Sequence, residues 1–334
     1  MAITGQERIL SIIVTGAAGF IGMHLAERLL ARGESVIGVD DFNAYYDPAL
    51  KAARAARLEA LPGFRMVRAD VADHEAFVAL VKDAGADRIV HLAAQAGVRY
   101  SLDNPFAYER ANLAGQLSVL EAARHAGTVR HLVYASSSSV YGERPVGGGG
   151  FREDDAAVEP VSLYAATKRS AELMSHAYAR LYSLPLTGLR FFTVYGPWGR
   201  PDMAYYGFTR AILAGEPIRV FGEGKMARDF TYVDDIIHGI IGALDLPPAP
   251  GENRILNIGD DRPVGLMDMI AMLERLLGRE AVKIMQPMQP GDVTATHADI
   301  SRLNALTGYR PKVMLEDGLA RFVDWYRDFE AARD

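Results

Sequence analysis

Gly16-Ala17-Ala18-Gly19-Phe20-Ile21-Gly22 stands between a continuous apolar, β-branched run, Ile9–Thr15, and a segment with apolar residues at helical spacing, Phe20–Ala31. No other feature of the chain limits its fold as tightly. An apolar run of this kind is a strand buried on both faces. A glycine-rich turn leading from such a strand into a helix opens a βαβ unit that binds a dinucleotide. Gly16 permits the tight turn, Gly19 lets the backbone approach a pyrophosphate, and Gly22 allows close helix–strand packing. The helix N-terminus, where Phe20 and Ile21 stand, offers free N–H groups and a partial positive charge to the phosphates. A second strand, Ser35–Asp40, ends in an acid eighteen residues after the last glycine. A carboxylate there accepts both adenosine-ribose hydroxyls and repels a 2′-phosphate. Asp41 follows it rather than Arg, so the expected cofactor is NAD rather than NADP. FAD or another nucleotide would fit the same loop, and glycines that make only a tight turn are the bland alternative.

The first half of the chain keeps alternating. Arg65–Ala69, Arg88–Leu92 and Arg130–Ala135 repeat the strand signature, with helical segments Asp47–Leu61, His74–Ala84 and Phe106–His125 between them. That order gives right-handed βαβ units and a parallel sheet. Gly147–Gly150 and Arg152–Asp155 read as a surface loop, followed by a helix Leu163–Leu181 and a strand Leu186–Thr193. Beyond Gly196 the regularity fades into short strands (Ile218–Phe221, Arg254–Ile258), a loop at Pro247–Gly251, and helices after Val264 and Leu315. At roughly 150 residues per domain, 334 residues suggest two units. The expected fold is therefore α/β: a Rossmann-type doubly wound parallel sheet over residues 1–193, with 232–262 returning to it. A smaller mixed α/β C-terminal substrate domain takes 194–231 and 263–334.

Composition narrows the function. The formal charge is −6, whereas a nucleic-acid binder usually carries a basic excess. The longest apolar runs, Ile9–Val14 and Ile236–Leu246, fall short of the ~20 residues a membrane span needs. Met1–Arg8 is polar and shows no signal-peptide pattern. Zero cysteines exclude disulfides, thiolate catalysis and zinc-cysteine or iron–sulfur sites. The expected compartment is the cytoplasm. The eight histidines show no metal-ligand spacing, so no metal is expected, and His91 reads as a packed core residue.

Tyr164-Ala165-Ala166-Thr167-Lys168 puts a phenol and an ammonium on one face of a helix that begins near Ser162. A phenol near pKa 10 is a poor base at neutral pH, and lowering it by ~3 units takes ~4 kcal/mol. A neighbouring ammonium and the positive nicotinamide ring both act in that direction. Such a pair alone is modest evidence, since an exposed i,i+4 pair looks the same. The strand Arg130–Ala135, however, runs into Ser136-Ser137-Ser138-Ser139, and ligands sit at strand C-termini in parallel sheets. Ser139 and Ser136 read as solvated loop residues. Asp70-Val71, after the third strand, edges the adenine or serves as a helix cap and an apolar wall.

Glycine loop, strand-end Asp40, serine run, Tyr-xxx-Lys and a following substrate domain together resemble the extended short-chain dehydrogenase/reductase family, from Ile12 to Trp325. The strings Val39–Pro48 (VDDFNAYYDP), His91–Ser101 (HLAAQAGVRYS), Arg190–Met203 (RFFTVYGPWGRPDM) and Arg228–Asp235 (RDFTYVDD) are similar to those of UDP-glucuronate 4-epimerases. The resemblance implies a cycle in which Tyr164 removes the sugar 4-hydroxyl proton while NAD takes the hydride. Lys168 would hold the ribose and Ser137 the reacting oxygen. The 4-keto sugar then turns over, the hydride returns, and NAD stays tightly bound. It also implies that Ala93 lines the cofactor. Relatives that dehydrate place Asp-Glu after the catalytic Ser/Thr, and those that decarboxylate place Glu there. This chain has Ser138 and Ser139, which argues for epimerisation.

Arg200 and Arg228, inside these strings, would meet the phosphates or the sugar carboxylate, with Arg99 a weaker candidate. Ser137, Ser138 and Thr193 would hydrogen-bond the carboxylate, and Asp292 the uridine ribose. Gln289 stands where UDP-galactose 4-epimerases carry an Arg. Relatives pair the helices matching Phe106–His125 and Leu163–Leu181, which implies a homodimer. The alternatives are a UDP-galactose-type epimerase, a UDP-glucuronate decarboxylase and an NAD-sensing regulator. The last is disfavoured by the presence of Tyr164, Lys168 and Ser137 together.

Overall fold

The computed structural model describes residues 11–143 and 149–331. Met1–Arg8, Ile9 and Leu10 of the first strand reading, and Gly147 and Gly148 of the glycine run lie outside the described residues. The strands in chain order are β1 Ser11–Thr15, β2 Ser35–Asp40, β3 Phe64–Arg68, β4 Arg88–His91, β5 His131–Ser137, β6 Leu186–Phe191, β7 Thr193–Tyr195, β8 Ile218–Val220, β9 Ala227–Tyr232, β10 Asn253–Ile258, β11 Pro263–Gly265 and β12 Lys283–Met285. Seven of them form one sheet in the order β10-β6-β5-β4-β1-β2-β3, parallel throughout. All five residues of β1 are buried, as its unbroken apolar run requires of a central strand. The strand order reverses between β1 and β4, and the crevice at their C-terminal ends is where a doubly wound sheet binds ligands.

Two segments differ from their expected form. Leu186–Thr193 is not one strand. After Phe191 the chain donates the Phe192 N–H to the Ile258 carbonyl at 3.1 Å and changes sheets, so that Thr193 begins β7. β7 pairs with β9, and β11 closes this smaller three-stranded sheet. Phe106–His125 is likewise not one helix. A short helix Pro105–Tyr108 passes through a π-helical turn, Glu109–Ala114, before Gly115–Ala126. The turn carries the buried Asn112, whose side chain donates to the Gln95 carbonyl and to Thr167 Oγ1, both at 3.0 Å. Such bulges concentrate at functional sites.

From β9 the helix Val233–Leu244 begins without an intervening residue and packs on the helix Phe20–Ala31, after which β10 joins the large sheet. One apolar cluster runs from Ile12 and Met23 through Tyr195 and Phe230 to Leu273 and Phe322, so both sheets share a core.

Candidate active site

The glycine loop has the shape its sequence implies. Gly16 takes φ +70° and donates its N–H to the Val39 carbonyl at 2.7 Å, and a Cβ on it would lie 2.8 Å from the Ala93 nitrogen. A Cβ on Gly22 would lie 2.1 Å from the Gly16 carbonyl oxygen. No side chain caps the helix that starts at Phe20, which leaves its first amides for an anion. Asp40 is fixed by two backbone donors, Ala18 N–H on Oδ2 at 3.0 Å and Phe42 N–H on Oδ1 at 2.9 Å. Burial pushes its carboxyl up, and the Lys51 ammonium, 4.0 Å away, opposes that. A cation beside this acid was not expected from Asp41. It comes from the helix Pro48–Glu59, which returns Lys51 to the end of β2.

Asp70 accepts the Ala72 N–H at 2.8 Å and pairs with Arg110, forming a turn rather than a helix cap. Val71 beside it is buried in the second apolar cluster. At the switch point Thr15 Oγ1 lies 2.7 Å from His91 Nδ1 and accepts the Ala93 N–H at 3.1 Å. Burial, with a smaller contribution from the Lys168 charge, pushes His91 down to about 3, so its imidazole stays neutral as a core residue.

The helix Leu163–Tyr182 starts where Ser162 Oγ accepts the Ala165 N–H at 3.1 Å. Its i, i+4, i+8 face aims Tyr164, Lys168 and Glu172 at the C-terminal end of β5. Lys168 Nζ donates to the Ala135 carbonyl at 2.8 Å, and burial lowers the ammonium to about 8. Burial raises the Tyr164 phenol, while its hydrogen bond with Ser137 and the Arg200 charge pull the other way. Ser137 Oγ donates to Ser139 Oγ at 3.1 Å and accepts the Ser139 N–H.

Ser136, expected in solvent, is buried in β5 and donates to Glu172 Oε1 at 2.6 Å. Arg190 on β6 grips the same carboxylate with Nε at 2.8 Å and Nη2 at 2.9 Å, and Arg169 adds a contact at 2.7 Å. Burial alone would raise Glu172, but these partners hold it below the usual carboxylate range. The helix face carrying Tyr164 and Lys168 is thus clamped to β5 and β6.

On the opposite wall Arg200 pairs with Asp202 through Nε at 3.0 Å, and the Tyr45 hydroxyl donates to Asp202 at 3.1 Å. Arg228 donates to the carbonyls of Val293, Ala227 and Thr294 at 2.7, 2.9 and 3.2 Å. Arg99 lies 4.8 Å over the Phe221 ring and 3.2 Å from Asp292. Every residue expected to hold the cofactor, to act on the sugar or to bind it, Ser138 and Thr193 included, lines one cavity of about 810 Å³. That is near the upper end of small-molecule sites, and it runs unbroken from the glycine loop to Arg228. Lys51, Glu172 and Asn112 escaped the sequence reading. In one dimension Lys51 is one more helix-face charge, although Glu172 continues the Tyr164–Lys168 spacing by one more turn. Among the described residues no three His, Asp or Glu side chains could share a metal ion, and no helix is long and apolar enough to cross a membrane.

The sequence profile of the NAD dependent epimerase/dehydratase family matches residues 12–259. The "Probable UDP-glucuronate 4-epimerase" of Rhizobium meliloti (strain 1021) is 48% identical, over 94% of this chain and 96% of its own. UDP-glucuronate 4-epimerase 4 of Arabidopsis thaliana is 46% identical over 98% of this chain and 77% of its own. Among solved structures, the UDP-glucuronic acid 4-epimerase of Bacillus cereus in complex with UDP-glucuronic acid and NAD superposes with a TM-score of 0.89. It is 37% identical, covering 96% of this chain and all of that one.

Proposed function

This chain belongs to the NAD dependent epimerase/dehydratase family, and from that premise we propose that it inverts C4 of UDP-glucuronate to give UDP-galacturonate. The observation that carries this reading is one cavity holding a glycine loop with a strand-end Asp at one end and Tyr164, Lys168 and Ser137 in its middle. At the two positions after Ser137 it has hydroxyls, Ser138 and Ser139, in place of a second acid/base. Elimination and decarboxylation need a further group to move a proton from or to carbon. Oxidation followed by re-reduction needs only the one pair.

The loop fits the cofactor, since an added Cβ at Gly16 or Gly22 would occupy backbone space. Gly16, Gly19, Phe20, Ile21 and Gly22 would hold the pyrophosphate, Asp40 the ribose, and Asp70, Val71 and Ala93 the adenine side. When bound, NAD accepts and returns the hydride and contributes a positive ring. Tyr164 takes the proton of the 4-hydroxyl and gives it back. Ser137 holds the same oxygen and donates to the phenolate side. Lys168, fixed on the Ala135 carbonyl, supplies a buried positive charge that favours the phenolate. Arg200, Arg228 and Arg99 face the anionic groups of the nucleotide sugar, Ser138 and Thr193 suit its carboxylate without adding charge, and Asp292 meets the uridine ribose. Leu117 and Leu173 stay exposed on the helices Gly115–Ala126 and Leu163–Tyr182, and a second copy covering them would make a homodimer. The proposed compartment is the cytoplasm.

The test is incubation of the purified enzyme with UDP-glucuronate, followed by NMR. UDP-galacturonate with little CO₂ is the expected result, and UDP-xylose or no product would overturn the reading. Tyr164→Phe should abolish turnover with bound NAD unchanged. An active variant would show the base to be misassigned.

A further inference from the structure

Arg54, on the helix Pro48–Glu59, has no role in the site as described, yet its side chain is shut off from solvent completely. No carboxylate lies within ion-pair distance of it among the described residues. All five of its N–H donors are used, each on an oxygen. Nη1 donates to the Ala18 carbonyl at 3.2 Å and to the Tyr46 hydroxyl at 2.6 Å. Nη2 donates to the carbonyls of Trp198 at 2.5 Å and Gly199 at 3.0 Å, and Nε donates again to Trp198 at 3.1 Å. One planar fork therefore joins the dinucleotide loop, the segment after β2 and the turn that precedes Arg200. An ammonium, with three donors and no plane, could not make this junction.

The turn it grips is the one that needs holding. Trp198 sits at φ +61°, a region a bulky residue rarely enters. Its ring packs on Trp325 and Phe329, both at 5.4 Å between centroids. His24, from the helix behind the glycine loop, reaches the Pro197 carbonyl at 3.0 Å. Ring packing thus fixes this turn on one side and Arg54 on the other. Two residues further on, Arg200 enters the cavity. Its partner Asp202 is bonded to Tyr45, the neighbour of Tyr46.

We propose that Arg54 is a positioning residue for the nucleotide sugar: its fork locks the left-handed Trp198 turn against the dinucleotide loop and so sets where Arg200 meets the substrate. This rests on the reading that Arg200 faces an anionic sugar nucleotide, and it ties substrate recognition to the cofactor loop. The guanidinium acts through Arg200, not on the reacting atoms.

The experiment compares parent holoenzyme, Arg54→Met, Arg54→Lys, Arg200→Ala and the Arg54→Met/Arg200→Ala pair. For each, bound NAD, kcat and KM for UDP-glucuronate are measured. Arg54→Met should raise KM at least about tenfold with kcat within about threefold and NAD retained. Arg54→Lys should fall between it and the parent. Residues acting as one unit are not additive, so the pair should be no worse than Arg200→Ala alone. A KM within about threefold of the parent, or losses that multiply in the pair, would overturn the proposal. So would parallel loss of NAD and turnover, or failure of both Arg54 variants to give folded holoenzyme, since either marks a general structural role. A parent that leaves UDP-glucuronate untouched sinks the functional reading itself, whereas an active parent with unaffected Arg54 variants sinks only this inference.

Discussion

Gly22→Ala sets two effects of known size against each other. Gly22 lies in the first turn of the helix Phe20–Ala31, where exchange of Gly for Ala normally stabilises by about 1 kcal/mol. At this position the new methyl would stand 2.1 Å from the Gly16 carbonyl oxygen and 3.0 Å from the Ala17 Cα. Carbon does not approach carbonyl oxygen much below 3.0 Å, so the two must part by about 0.9 Å. Both sides of the clash are backbone, so no side chain can swing away. The loop is itself tied down, since the Gly16 N–H donates to the Val39 carbonyl at 2.7 Å. The helix start must therefore move off the loop whose amides would hold the pyrophosphate. Misplacing a binding element by ~1 Å costs on the order of 100-fold, and overpacking costs roughly 1–3 kcal/mol, which more than cancels the helix gain. The assay is the NAD released from purified protein on denaturation, with thermal melts at increasing NAD. Substoichiometric NAD and a lower melting point that recovers with added cofactor are expected. Full NAD with an unchanged or raised melting point would refute the reasoning.

Two further substitutions test the walls of the cavity. Glu172→Gln leaves Arg190 buried without a carboxylate; breaking such a pair costs roughly 3–5 kcal/mol, so the melting point should drop by more than ~5 °C, and a change within about 1 °C would show that Glu172 does not clamp the helix. Asp40→Ser removes the charge that repels a 2′-phosphate and leaves Lys51 in place; the preference for NAD over NADP should fall at least about tenfold in dissociation constants, and an unchanged ratio would show that Asp40 does not set it.

The parallel sheet and its cofactor loop were legible in the sequence because each rests on local pattern: unbroken apolar runs, helical spacing, and glycines where a Cβ has no room. Tyr164, Lys168 and Ser137 were legible for a related reason, since strand C-termini and one helix face bring them together whatever the intervening loops do. What escaped depends on pairings across the fold. Ser136 looked like its solvated neighbours, but strand β5 runs two residues further than its apolar stretch and delivers it to Glu172, thirty-six positions away. Lys51 and Arg54 look in sequence like the polar face of an amphipathic helix, and only the packing of that helix buries them. The break at Phe192 was hidden because residues on both sides of it are equally apolar. Changing sheets costs no hydrophobic contact, so composition carries no trace of it.

That break has a consequence for traffic through the enzyme. The polypeptide passes from the large sheet to the small one at Phe192 with one residue to spare, runs from β9 straight into the helix Val233–Leu244 that packs on the large sheet's side, and passes from β10 to β11 through four residues, 259–262. The crossings are short, and one apolar interior spans both sheets. Ligands therefore meet walls that the shared apolar interior has already set against each other.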